Sequence, residues 1–324
     1  MDEMKAQSDS PANGYREQED PLAEVWDLYH RELRRWNRQI NLVSRFQGEA
    51  NLANLTGDCW DAADTLPRVI SLFSHRWAAE FWPDFAAGQG TDFDPQPTNG
   101  SSAFPGPGHP GGSRSGLASG TSGPCGQPVN GEKHSNRIVY VDIGSGAGFP
   151  GIAWHLWLQT QVDKSGSEGR FSTKTTLVEP RQKRAWFLHR VNRLLKLENL
   201  RIWEKRWQDC HQDTKPSRRH WHKTLWLFSL RALKMSDKTV IASWQKAAGL
   251  TSLEDSHRLL ICRFRPQGHA PDSALREALC LPSSQITPDQ PHSDADGAWV
   301  VINCGQRVSL LASWYRRIPH SHGE

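Results

Sequence analysis

The sequence predicts a doubly wound α/β domain with a mostly parallel sheet and an N-terminal helical cap. Three observations carry this prediction. Strand and helix patterns alternate from Arg137 onward, a glycine-rich turn joins the first of these strands to its helix, and 21–85 reads as helical. Such alternation places helices on both faces of a parallel sheet.

Each element follows from a local pattern. From Pro21 to Ile40, apolar residues at Leu22, Val25, Trp26, Tyr29, Leu33, Trp36 and Ile40 describe one helical face. Asp20 can cap this helix and Pro21 suits its first turn, while Arg31, Arg34, Arg35 and Arg38 occupy the opposite side. A second helical stretch runs through Trp60, Leu66, Ile70 and Phe73. Strands are expected at Ile138–Ile143, Thr175–Glu179, Leu200–Trp203, Leu225–Leu230, Arg258–Phe264 and Trp299–Asn303. Helices are expected at Pro150–Leu158, Arg181–Leu197, Asp237–Ala248 and Ser273–Leu281. In the second of these, Trp186, Phe187, Val191, Leu194 and Leu195 are expected to point inward. Gln161–Ser172 and His211–His222 read as surface loops.

Composition bounds the rest. The hydrophobic fraction of 37% is low for a single core in a chain of 324 residues. Residues 86–136 account for part of this: they hold 12 of the 26 glycines and 7 of the 20 prolines. Such a stretch buries too little apolar surface to offset its ordering entropy. The expected division is thus a disordered N-terminus (1–20), a helical cap (21–85), a disordered insertion (86–136), the α/β domain (137–305) and a C-terminal tail (306–324).

A net charge of +4 permits an acidic partner such as RNA without requiring one. Cys59, Cys125, Cys210, Cys262, Cys280 and Cys304 are widely spread, with no Cys-x-x-Cys pair. They read as reduced thiols of a cytoplasmic protein rather than zinc ligands, so no metal is expected. The polar, acidic first twenty residues resemble neither a signal peptide nor a basic transit sequence. No apolar run approaches the ~18 residues of a membrane span. The 15 tryptophans read mainly as a compositional bias, with RNA base stacking as the alternative for a few of them.

The segment Val141-Asp-Ile-Gly-Ser-Gly-Ala-Gly-Phe-Pro-Gly-Ile152 carries the chemistry. Small residues allow close backbone approach to a ligand, and the helix that follows presents free N–H groups. A G-x-G-x-x-G reading from Gly146 to Gly151 would suggest a dinucleotide, and hence a nicotinamide-dependent dehydrogenase. The Asp-x-Gly-x-Gly-x-Gly reading uses the strand-end acid Asp142 instead. A fixed carboxylate there suits the cationic S-adenosylmethionine and is unwelcome beside a pyrophosphate, so the methyl donor is favoured. Glu179, ending the second strand, is placed to take the two hydroxyls of a ribose.

These segments resemble the bacterial small-subunit ribosomal RNA guanine-N7 methyltransferases, also called glucose-inhibited division protein B. Gly144-Ser-Gly-Ala-Gly-Phe-Pro-Gly-Ile152 is close to that family's cofactor loop. Arg35-Trp-Asn-Arg-Gln-Ile-Asn-Leu-Val-Ser44 is similar to its N-terminal element. Leu177-Val-Glu-Pro-Arg-Gln-Lys-Arg-Ala-Trp-Phe-Leu188 resembles its ribose-binding strand end. Arg206-Trp-Gln-Asp209 and Ser229-Leu-Arg-Ala-Leu233 fall where the family has Arg-Ala-Glu-Glu and Ser-Arg-Ala. The resemblance implies a Rossmann-like class I methyltransferase fold, with S-adenosylmethionine contacts at Gly144, Phe149, Trp207, Gln208 and Arg231. Asp142, Gly146 and Glu179 join these from the residues themselves. It also implies a 16S ribosomal RNA or small-ribosomal-subunit partner, with a monomer favoured.

Three positions depart from the family. Asp61-Ala-Ala-Asp-Thr-Leu66 lacks the family's histidine, Leu230 interrupts the Ser-Arg-Ala run, and Arg263-Phe264 stands for Lys-Gly. They keep open a second reading, an RNA-binding protein that has the pocket but lacks turnover. Guanine N7 carries a lone pair and no proton, so its methylation needs no general base, and no catalytic residue is assigned. RNA contact is expected from the arginines of the first helix, from Arg181, Lys183 and Arg184, and from Arg218-Arg-His-Trp-His-Lys223.

Overall fold

The computed structural model describes residues 21–43, 48–82, 136–164, 171–209, 223–231, 233–248, 257–266, 292–293, 297–304 and 307–315. The segment 1–20, nearly all of 86–136, the loop at 211–222 and the helix expected at 273–281 lie outside them.

Four helices come first: α1 (Pro21–Asn37), α2 (Gly48–Asp64), α3 (Leu66–Phe73) and α4 (His75–Phe81). The strands are β1 (Asn136–Ile143), β2 (Phe171–Val178), β3 (Leu200–Trp203), β4 (Thr224–Arg231), β5 (His257–Pro266), β6 (His292–Ser293), β7 (Gly297–Cys304) and β8 (Val308–Tyr315). Between them lie α5 (Gly151–Lys164), α6 (Gln182–Leu195) and α7 (Asp237–Ala248). The sheet order is β3-β2-β1-β4-β5-β8-β7-β6. Strands β1 to β5 pair in parallel, and β8 runs antiparallel to both β5 and β7. Apart from the two-residue β6, this is a mixed seven-stranded sheet.

The near-continuous apolar strands are explained by burial on two faces. Along β1, alternate residues go to opposite sides. Ile138 and Tyr140 pack with the cap helices, α5 and α6, whereas Val139, Val141 and Ile143 pack with Trp203, Trp207 and Trp244 of α7. The helices therefore cover both faces, as the alternation predicts.

The cap is held to the sheet layer by buried indoles whose N–H groups find carbonyl or carboxylate partners. Trp154 Nε1 donates to the Cys59 carbonyl at 2.8 Å, and Trp157 Nε1 donates to Asp64 Oδ1 at 2.6 Å. Lys223, at the start of β4, pairs with Glu80 of α4. Cys59, Cys262 and Cys304 are buried free thiols.

The structure corrects three expectations. The tail expected at 306–324 instead contributes β8, which inserts between β5 and β7, because Val308–Trp314 is a continuous buried run. The loop expected at 161–172 is shortened from both ends, since α5 continues to Lys164 and β2 begins at Phe171. Trp186 does not point inward: it is 50% exposed, while its neighbour Phe187 fills the core position.

Trp314 decides between a strand and a tail. It is fully buried, stacked on Phe73 at 5.7 Å and edge-on to Trp77 at 6.1 Å. Trp314→Ala is expected to cost about 3–5 kcal/mol, the range for removing a core aromatic. Urea unfolding would show this as a lowered midpoint, whereas a residue in a loose tail would leave the midpoint unchanged.

Candidate functional site

The parallel strands end together at the crevice beside β1, where the chain order reverses between β2 on one side and β4 on the other. In open α/β sheets this is where ligands bind. The turn from Asp142 to Gly151 lies there. Gly144, Gly146 and Gly148 all have positive φ (79°, 58° and 96°), a backbone region that side chains disfavour. A Cβ on Gly146 would sit in ordinary contact with Arg184 Nη1 at 3.7 Å and the Gly144 carbonyl at 3.8 Å, so its positive φ rather than crowding calls for glycine here. Gly151 has a different task. A Cβ there would come within 2.5 Å of both Asp142 Oδ2 and Leu177, so its absence lets the helix start seat directly on the strands.

Glu179, 3% exposed at the end of β2, ties the turn to α6. Its Oε2 accepts the Gly146 N–H at 2.9 Å, and its Oε1 accepts the Arg181 N–H at 2.8 Å. From the other side α1 braces the turn. The Tyr29 hydroxyl donates to the Ala147 carbonyl at 2.6 Å, and its ring meets Phe149 edge-on at 5.5 Å. The peptide bond between Phe149 and Pro150 is cis, and Phe149 is buried in the core. Arg184 Nη2 donates to the Asn41 carbonyl at 3.0 Å, linking α6 to the chain beyond α1.

Asp142 lies beneath the turn, only 1% exposed. Ser229 Oγ donates to its Oδ1 at 2.6 Å, Tyr140 bonds the same Ser229 hydroxyl at 2.8 Å, and Oδ2 faces the Gly151 backbone without a well-formed hydrogen bond. Burial pushes its carboxyl up to about 6, against the lowering effect of Ser229, Ser145, the Gly151 backbone and Arg231. Arg231, half-buried at the end of β4, donates to Cys59 Sγ at 3.2 Å and stands over the Phe264 ring. Burial holds the Cys59 thiol up at about 12.

The structure thus brings Asp142, Gly144, Gly146, Phe149, Glu179 and Arg231 to one end of the sheet. Trp207 is buried against Trp203 and Phe228 and donates to the Val240 carbonyl, while Gln208 on the same short 3₁₀ turn is exposed. Sequence reading missed Tyr29, Ser229 and Leu233 at this site. A Cβ on Gly144 would strike Leu233 Cδ1 at 2.5 Å, so this partly exposed leucine lies over the turn. Tyr29 has no local motif and gains its place through helix packing, whereas Ser229 and Leu233 bound the segment that resembles the family's Ser-Arg-Ala, which gave them no role of their own.

The departures from the family have plain places. Leu230 points into the core on the α7 side, which leaves Ser229 and Arg231, two residues apart, on the face that holds Asp142 and Cys59. Arg263 is buried in an ion pair with Asp237. Asp61 is exposed on α2, with its carboxyl raised chiefly by partial burial and then by Asp58 and Asp64.

Strand order and strand direction give a Rossmann-like fold of the class I methyltransferase type. The antiparallel β8 departs from the all-parallel order of dinucleotide-binding sheets. Residues 127–220 match the family of rRNA small subunit methyltransferase G, consistent with a divergent member of that family. The matched stretch contains the glycine turn and Glu179. Comparison with curated proteins gives no match. Among solved structures, an rRNA methylase from Streptococcus thermophilus is 15% identical, covering 56% of this chain and 89% of its own, with a TM-score of 0.32. A SAM-dependent methyltransferase from Aquifex aeolicus is 11% identical, covering 56% and 84%, with a TM-score of 0.31. Among the described residues no cluster of His, Cys, Asp or Glu could hold a metal ion, and no helix is long and apolar enough to cross a membrane.

Two buried groups near the site titrate in opposite senses. The Asp142 carboxyl moves from 3.8 up to about 6, whereas burial lowers His155, whose Nδ1 meets Thr175 Oγ1, from 6.5 to about 4. Between about pH 4 and 6 the folded chain keeps a proton on Asp142 that the unfolded chain has released, so this group's stability contribution is lost as pH rises. The folded chain refuses a proton that unfolded His155 accepts, so that contribution is lost as pH falls. Each amounts to ~3 kcal/mol and the two largely cancel. Relative to the parent, Asp142→Asn should give stability that rises from pH 4 to 6, and His155→Gln stability that falls. Urea midpoints measured across this range would check both signs.

Proposed function

We propose that this chain transfers a methyl group from S-adenosylmethionine to N7 of a guanine in 16S ribosomal RNA. The observation that carries the reading is the family match over 127–220, which includes the glycine turn at the sheet's strand-end crevice.

The residues fit the cofactor. Gly144, Gly146 and Gly148, all at positive φ, keep the turn free of side chains where the cofactor would lie, and α5 begins directly after it at Gly151. Gly144, Gly146 and Phe149 would form the wall against the methionine end. Glu179 retains acceptor capacity on both oxygens for ribose hydroxyls, beyond the two backbone bonds it makes. Gln208, exposed on its 3₁₀ turn, would meet the adenine as donor or acceptor, with Trp207 anchoring the turn that carries it. Asp142 and Arg231 act as positioning residues beneath the turn.

The cofactor supplies an electrophilic methyl group on a sulfonium. Guanine N7 supplies an in-plane lone pair and loses no proton, so the protein's part is alignment, exclusion of water and a matched field. This accounts for a site without an acid–base pair. The rival reading, a pocket without turnover, has less support, because Leu230 and Arg263 are absorbed by the core and leave Ser229 and Arg231 in place.

Radiolabelled methyl transfer to undermethylated small ribosomal subunits, with the modified nucleotide mapped, tests the proposal. Label at one guanine N7 is expected. Cofactor binding without incorporation would favour the pocket without turnover, and tight binding of NADH in place of S-adenosylhomocysteine would overturn the cofactor. Gly146→Val should abolish S-adenosylhomocysteine binding in calorimetry while costing about 1–2 kcal/mol of stability, the penalty for a side chain at positive φ.

A further inference from the structure

We infer that α6 carries a base-stacking track for single-stranded RNA, with Trp186 as its platform and Lys183, Arg190 and Arg193 as its phosphate contacts. The inference rests on the reading of the chain as a ribosomal RNA methyltransferase and names the surface that would hold the strand leading to the target guanine.

Trp186 is anomalous in this protein. Every other tryptophan among the described residues is buried or half-buried, and most fill the two cores. Trp186 alone presents an indole that is 50% exposed. It does so beside a surface groove of about 420 Å³ lined by Trp36, Trp186, His189, Arg190 and Arg193. A tryptophan on a solvated helix face gains nothing from the core, and a flat aromatic surface in an open groove is what a splayed-out base requires.

The charges around it have the matching sign. Helix α6 contains Lys183, Arg184, His189, Arg190 and Arg193, and no acidic residue. Lys183 and Arg184 stand in its first turn, where the helix dipole disfavours cations, so they do not serve the helix itself. Lys183, Trp186, Arg190 and Arg193 are all exposed and fall three or four residues apart, which places them along one face. The track spans about 15 Å at 1.5 Å per residue. It begins where α6 leaves Glu179, at the cofactor end of the sheet, and runs outward.

Two acids temper the charge without cancelling it. Glu32, largely buried, accepts from Trp36 Nε1 and from Arg190 Nε, both at 3.0 Å, and so fixes the groove's wall. Glu204 meets His189 at 3.0 Å. Lys183 and Arg193 have no ion pair among the described residues. An acidic protein could answer the charge, but it would not call for the exposed indole.

The test uses the full chain and a fluorescently labelled 12-nucleotide single-stranded RNA, read by anisotropy. Trp186→Ala should weaken binding by roughly 5- to 100-fold, the loss of one base–aromatic stack, and Trp186→Phe should restore most of it. Arg193→Gln should make the salt dependence shallower by about 0.7 in log–log slope, as expected for one lost phosphate contact. Binding of S-adenosylhomocysteine should be unchanged in all three. In methylation of small ribosomal subunits, Trp186→Ala should raise KM and leave kcat near its parent value. Unchanged RNA affinity and KM in Trp186→Ala, with methylation intact, would overturn the track and leave the function standing. A parent protein that neither binds the RNA nor methylates the subunit would overturn both.

Discussion

The carboxylate of Glu179 is the constraint on which the site depends. It is buried at the end of β2, and each of its oxygens is bonded to a backbone N–H: Gly146 in the glycine turn and Arg181 at the start of α6. A carboxyl buried this way must have hydrogen-bond partners, and two backbone N–H donors supply them. The consequence is geometric. The turn that follows β1 and the helix that follows β2 are separate in sequence, yet they are positioned from one side chain. Whatever binds over Gly146 therefore senses the placement of α6, and the exposed face of α6 is set relative to the turn.

A second constraint lies one layer deeper. Asp142, Ser229 and Tyr140 form a closed hydrogen-bonded group under the turn, and Arg231 extends it to Cys59 of the cap. Polar groups this deep are costly when unpaired and specifying when paired. The free Oδ2 of Asp142 against the Gly151 backbone marks where the group is incompletely satisfied. Asp142 is the member of this group that titrates in the acidic range, and burial raises its carboxyl.

The fold was legible because it depends on repetition. Alternation of apolar strands with helices, and the glycine turn after β1, give the parallel half of the sheet, and Leu200–Trp203 and Asp237–Ala248 coincide with their expected bounds. The antiparallel return was hidden. Val308–Tyr315 is apolar, but only Gly305 hints at its hairpin with β7, and its partner β5 is distant in sequence. Trp186 was misread for a related reason. Helical periodicity admits either Trp186 or Phe187 as the inward residue at that step, and only packing against Tyr29 and Trp36 selects Phe187. The glycines of the site were visible, since positive φ leaves a compositional trace. Tyr29 left none, because a hydrogen bond made across 118 residues has no local signature, and the segment that contains Ser229 does not disclose its bond to Asp142 across 87 residues.

The cap also shares in the site. Tyr29 donates to Ala147 within the turn, Trp154 and Trp157 donate from α5 into α2, and Glu32 of α1 holds Arg190 of α6. These four contacts reach three consecutive features of the α/β domain: the turn, the helix after it and the helix after β2. A cap serving only to shield apolar surface would need none of these directed bonds, because burial is non-directional. Directed bonds fix orientation as well as proximity. Tyr29 is buried and its hydroxyl has Ala147 as partner, so the turn cannot shift without leaving a phenol unsatisfied. The cap is therefore part of what orients the glycine turn, α5 and α6, and Trp36, which lines a groove with Trp186, is where the cap reaches the surface.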